Sequence, residues 1–156
     1  MADCIRALIT ANIKTAIEGV KTPAYNTDVN AVEETRENLD IDTEGFVLLQ
    51  EDSTESLEDY QHTKDEVLPY TVVFFGQKND EKPKDPFAHQ NRNVVADITK
   101  AIMADRTRGG YALNTHVTDD GHAVFVDGQG NQRPGTYLLV NVDTHIDADD
   151  PYQLAL

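Results

Sequence analysis

Basic residues are scarce in this chain, and so are cysteine, tryptophan and long apolar runs. Lys and Arg number 13 against 28 Asp and Glu, for a formal net charge of −15. Gripping a nucleic acid requires cations that displace counterions from phosphates, so such a surface repels DNA. An anionic membrane leaflet is disfavoured for the same reason. The single cysteine, Cys4, excludes an internal disulfide. On the apolar side of the first helical stretch it reads as a small buried hydrophobe, since a reactive thiol needs accessible, electropositive surroundings. No apolar run approaches the roughly 20 residues that span a bilayer. The N-terminus lacks the basic start and apolar block of a secretory signal. The sequence therefore reads as a product of the cytoplasm with no membrane partner.

What is present suits one domain. A chain of 156 residues sits near the modal domain size. Its 39% hydrophobic and 26% charged residues predict a modest core carrying solvated loops. The acidity has two readings: solubility, including life at raised salt, or a wall that surrounds DNA without holding it.

Periodicity places the elements. Ile5, Leu8, Ile9, Ile13, Ile17 and Val20 form one apolar stripe, predicting a helix from Ala2 to Val20 that Gly19 and Pro23 terminate. Val29 to Glu34 permits a short strand or a helical turn, and Phe46 to Leu49 reads as a strand. Gln50 to Asp59, dense in acids and serines, predicts a solvated loop. Val67 to Phe75 is an almost continuous β-branched and aromatic run, suited to a central strand with Pro69 near its start. Gln77 to Phe87, with two prolines, predicts a surface connection. A second helix is expected from His89 to Arg106, ended by Gly109 and Gly110. Tyr111 to Val117 and His122 to Val126 read as two strands joined by a turn at Asp119-Asp120-Gly121, because a DG pair between alternating runs signals a hairpin. After a loop from Asp127 to Gly135, Thr136 to Ile146 closes the sheet. The class is α+β: a mixed, mainly antiparallel sheet with two main helices packed on one face.

The chemistry-bearing signals are sparse. Neither a Gly-rich phosphate loop nor a nucleophile elbow is present. The five histidines show no metalloprotease spacing. His116 and His122 could face each other across the hairpin and, with Asp120, hold a metal, but exposed hairpin histidines are the commoner case. Asp40-x-Asp42-x-Glu44-Gly45 followed by Glu51 copies a twelve-residue calcium loop at positions one, three, six and twelve, so a small acidic calcium module is the alternative reading. Against it stand the length of Glu44 and the strand character of Phe46 to Leu49. Arg106 and Arg108 form the one basic cluster of interest. They either offset the negative end of the second helix or form salt bridges to a neighbouring subunit.

Asn93-Val94-Val95-Ala96-Asp97-Ile98-Thr99-Lys100-Ala101-Ile102-Met103-Ala104-Asp105 is similar to the second helix of tail-terminator and tail-completion proteins of long-tailed bacteriophages. The glycine pair Gly109-Gly110, the strand Tyr111 to Thr115 and the ending Asp150-Pro151-Tyr152 also resemble that family, as does the order of elements along most of the chain. The resemblance implies a structural virion subunit of the tail or neck. It implies a hexameric ring that caps the tail tube and meets the head–tail connector proteins, with DNA passing through the lumen unbound. It implies no cofactor, no metal and no catalytic residues. Partners would then be further copies, the major tail tube protein and the neck proteins. On that reading the loops make the contacts, through Asp52, Glu55, Glu58 and Asp59 in 50–64 and Lys82 and Lys84 in 77–87, while Arg106 and Arg108 pair with acids across the ring.

Overall fold

Isoleucine at every fourth position builds the buried face of the first helix, α1 (Ile5–Glu18). Ile9, Ile13, Ile17 and the following Val20 are fully buried, and Leu8 is half-buried at the edge of the stripe. The computed structural model describes residues 3–34, 45–53, 55–60, 63–76, 87–126, 130, 132–147 and 149–155. After α1 come the strands β1 (Ala31–Glu33), β2 (Phe46–Glu51), β3 (Glu55–Tyr60) and β4 (Thr63–Phe75). The helix α2 (Phe87–Met103) and the strands β5 (Asn114–Val126) and β6 (Gln132–Asp147) follow.

The strands form a mixed sheet in the order β1-β2-β4-β6-β5, with β3 beside the first half of β4. The β1–β2 pair is parallel, and the remaining pairs are antiparallel. Alternation then sorts the side chains into two faces. Val47, Leu49, Leu68, Tyr70, Val72, Phe74, Leu138, Val140, Val142 and Ile146 lie on the face that both helices cover. Val94, Ile98, Ala101 and Ile102 bring α2 onto it beside α1. Each aliphatic side chain so buried contributes about 1.5–3 kcal/mol, and this face is the main core. The reverse face carries a smaller buried cluster at one end, Phe46, Leu48, Val73 and Phe75, with Phe46 and Phe75 tilted against each other.

The class and the one-sided helix packing are as expected from sequence, but several elements differ. Gln50 to Asp59 is not a single loop, because Glu55 to Tyr60 pairs with β4 as the strand β3. Pro69 is not near a strand start but in the middle of β4. Its carbonyl accepts from the Asp52 N–H at 2.9 Å, so its backbone edge faces the junction where β2 stops and β3 has yet to begin. A proline has no N–H to give a neighbour there, and the pairing strand breaks at that point. The second helix ends at Met103, short of Arg106. Cys4 is not on a helical face: it precedes α1 as its N-cap residue and is half-buried.

The largest difference concerns Asp119-Asp120-Gly121. No hairpin turn forms there, and β5 runs through it as one strand of 13 residues with a bulge between Val117 and Asp119. The turn favoured by a DG pair needs positive φ at both residues, and Gly121 is not among the positive-φ glycines. The 16-residue β6 instead offers one continuous ladder that pairs residues on both sides of the glycine. Gly121 lies opposite Tyr137, and a Cβ there would stand 2.7 Å from the tyrosine hydroxyl. The ring takes the space that a side chain would fill. The reversal falls between Val126 and Gln132, with Gly130 at φ 84, so part of the expected 127–135 loop belongs to β6.

Candidate assembly surface

Among the described residues, three solvent-facing parts of the fold lie outside the helix-covered core and the phenylalanine cluster. The first is the long β5–β6 hairpin. The β4 ladder on β6 ends at Phe74–Thr136, whereas β5 continues to pair out to Val126–Gln132. The distal hairpin is therefore a two-stranded arm, and Val124 on it is 63% exposed.

The second is the base of that hairpin. Leu113, just before β5, donates its N–H to the Asp143 carbonyl at 2.8 Å and is 64% exposed. The C-terminal segment returns along the same edge of β6: Asp147 N–H bonds the Gln153 carbonyl, and Ala155 N–H bonds the His145 carbonyl, both at 3.1 Å. The two segments leave a hollow of about 90 Å³ lined by Tyr111, Ala112, Leu113, His145 and Leu154. A larger hollow of about 420 Å³ lies at the start of α1, lined by Cys4, Arg6, Glu66 and Tyr152. There the Arg6 guanidinium pairs at 2.6 Å with Glu66, which is only 3% exposed.

The third is the polar half of the reverse face. Asp52 accepts from the Thr71 hydroxyl at 2.6 Å, Asp143 pairs with His116 at 3.0 Å, and Asp65 pairs with His145. Asp119 shares this face, opposite Leu139. This end of the sheet is open and acid-bearing, in contrast to the buried phenylalanine end.

The residues singled out from sequence are not gathered into one site. Asp52 sits at the β2–β3 junction, and Glu55, Glu58 and Asp59 are on β3, with Glu58 opposite Asp65 and Asp59 opposite Lys64. Lys82 and Lys84 lie outside the described residues. Arg106 is exposed. Arg108 is fully buried, so the expected pairing across a ring does not fit its position. Its Nη2 donates to the carbonyl of Ile102 in the last turn of α2, which matches the helix-end alternative. Among the described residues its Nε and Nη1 have no partner, and burial pushes the guanidinium pKa down against the opposing pull of Asp105.

The loop around Arg108 is tightly determined. Arg108, Gly109 and Gly110 have φ of 50, 73 and 92, all left-handed. Asp105 holds the turn by accepting from the Gly109 N–H at 2.7 Å, the Thr107 hydroxyl at 2.8 Å and the Thr107 N–H at 3.0 Å. These bonds, led by that from Gly109, hold its carboxyl below the usual range. Only the glycine pair hinted at this geometry in the sequence. The burial of Arg108 had no local signal.

Neither metal reading from sequence gains support. His116 and His122 are on one strand and on opposite faces: His116 sits opposite Asn141, and His122 opposite the buried Thr136. Among the described residues no group of three or more potential ligands is close enough to hold an ion. In the Asp40–Glu51 stretch, residues 40–44 lie outside the described set, but Phe46 to Glu51 is extended strand. Six residues of strand carry Glu51 about 20 Å from Gly45. A twelfth-position ligand must share one ion with positions one and three, and those positions, Asp40 and Asp42, lie outside the described residues.

No protein-family model and no curated protein matches the chain.

Proposed function

We infer that the chain is a structural assembly subunit, one copy of a ring that caps a phage tail tube and joins it to the head–tail connector. The observation that carries this reading is the β5–β6 arm, a two-stranded extension that leaves the helix-covered core and presents an apolar side chain to its surroundings. A subunit whose work is contact with neighbours needs such extensions from a stable sheet. The reading also rests on the resemblance of Asn93 to Thr115 and of the Asp150-Pro151-Tyr152 ending noted above. The acid-bearing half of the reverse face suits a lumen, because carboxylates leave passing phosphates unheld.

On this reading the partners are further copies of the chain, the tail tube protein and the neck proteins. Six copies around the tube is the expected stoichiometry. Because Glu55 to Tyr60 is a strand paired with β4, charge reversal at Glu58 is the probe of contact with the tube. The direct test adds the purified chain to polymerising tail tubes of its phage. Tubes that stop growing and carry one ring at the end support the reading, and tubes that grow unchanged and bare refute it.

A further inference from the structure

We propose that the segment 149–155 is a strap that opens and closes as one piece over the start of α1, and that this movement controls access to Cys4 and to one edge of β6. The strap belongs to the single chain and does not depend on copies assembling. Its place is set by where β5 begins. Asn114, the first residue of β5, lies opposite Asp143. Among the described residues no strand of the sheet covers that edge of β6 at His145 to Asp147. The strap takes the position instead. The Asp147 N–H donates to the Gln153 carbonyl and the Ala155 N–H to the His145 carbonyl, both at 3.1 Å, with a single bridge between Ile146 and Leu154. A third bond ties the strap to the helix, from the Ile5 N–H to the Pro151 carbonyl at 3.2 Å. The first N–H groups of a helix have no acceptor within it, and the Cys4 side chain supplies none. The strap therefore caps α1 from outside while it extends the sheet.

Little besides those three bonds holds it. Pro151 to Leu154 are all exposed, and the strap gives no residue to either buried cluster. Hollows flank it on both sides: Leu154 and Ala155 line the one of about 90 Å³, and Pro151 and Tyr152 line the one of about 420 Å³. A segment with exposed main-chain bonds and little apolar burial opens at low free energy while the core stays folded. Its own turns keep it in one piece as it moves. The Asp147 carboxylate accepts from the N–H groups of Asp149 and Asp150 at 2.9 and 3.3 Å. Asp150 accepts from the Tyr152 N–H through its carboxylate at 3.1 Å and from the Gln153 N–H through its carbonyl at 3.0 Å. Lifting the strap breaks the three anchoring bonds together. It bares the main chain of His145 to Asp147 and removes the wall that Pro151 and Tyr152 give the hollow holding Cys4 and the Arg6–Glu66 pair.

Cys4 is the one cysteine of the chain, so a thiol reagent such as dithionitrobenzoate reads the opening without an engineered label. Labelling of the parent protein should be slower than that of the unfolded chain. Its rate should stay nearly flat in urea below the unfolding transition, because lifting a short strap exposes little surface. Ala155→Pro removes the N–H that bonds His145 and should speed labelling about fivefold, the worth of one net hydrogen bond, with the m value of global unfolding unchanged. Native-state hydrogen exchange of the parent gives an independent readout that needs no variant. The amides of Ile5, Asp147 and Ala155 should exchange through one common opening, at least tenfold faster than those of Val140 and Val142 in the middle of β6. Labelling that Ala155→Pro leaves unchanged, labelling that climbs with urea in step with global unfolding, or three amides with unrelated protection would each overturn the strap.

Discussion

Replacing Gly121 by alanine should destabilise this protein, although the residue lies in a strand where alanine is ordinarily the better choice. The backbone at Gly121 is not left-handed, so removing glycine's conformational freedom should stabilise by about 0.5–1 kcal/mol. Opposing this, the new Cβ would lie 2.7 Å from the Tyr137 hydroxyl, 2.8 Å from Cζ and 2.9 Å from Cε1. Tyr137 packs against the buried cluster of Phe46, Leu48, Val73 and Phe75, so its ring cannot retreat freely. Overpacking of that kind costs about 1–3 kcal/mol. The net expectation is a loss of roughly 0.5–2 kcal/mol, or a few degrees of Tm in a domain of this size. In a Tyr137→Ala background the obstruction is gone, and Gly121→Ala should stabilise by about 0.5–1 kcal/mol. Denaturant melts of the four proteins give a coupling energy, expected at about 1–3 kcal/mol. Gly121→Ala stabilising both backgrounds equally would refute the cross-strand placement of the glycine beneath the ring.

Burial pushes the Tyr70 hydroxyl up to about 12 from 10.0, against the opposing hydrogen bond with Thr10. With the folded pKa above the unfolded one, stability is intact below pH 10 and falls as pH rises towards 12, by about 2–3 kcal/mol in total. Tyr70→Phe should cost about 0.5–1.5 kcal/mol at pH 7 and flatten that alkaline slope in chemical melts. An unchanged slope would show that Tyr70 is not the responsible group. Asp105 has a lowered pKa, so its contribution is present above about pH 4 and is lost as pH falls through the folded value. Asp105→Asn should therefore flatten the acid limb of a Tm-against-pH curve, and an unaltered limb would count against the Asp105-centred turn. Arg108→Met exchanges a fully buried cation with two unpartnered nitrogens for a hydrophobe of similar reach. Such replacements are often neutral or stabilising. The variant should melt at or above the parent temperature, and a loss beyond about 3 kcal/mol would mean that Arg108 is fully paired in solution.

The elements whose evidence is local were legible in the sequence. The isoleucine period of α1, the helical spacing of Val94, Ile98 and Ile102, and the run from Val67 to Phe75 each carry their geometry in their own side chains. Together they determined an α+β domain with helices on one face of a mainly antiparallel sheet. The acid excess was likewise written in the sequence. What depended on a distant partner was not. Asp120-Gly121 has the local chemistry of a turn, but β6 supplies a continuous ladder and Tyr137 covers the glycine, so tertiary pairing overrides the turn preference. Glu55 to Tyr60 has the composition of a solvated loop, yet the open edge of β4 recruits it as a strand. Arg108 reads as a surface cation, and only the left-handed turn after α2 brings its guanidinium back beneath the helix end. Short-range periodicity fixes what a segment prefers to be. The hydrogen-bonding edges and space left by the rest of the chain decide which preferences survive.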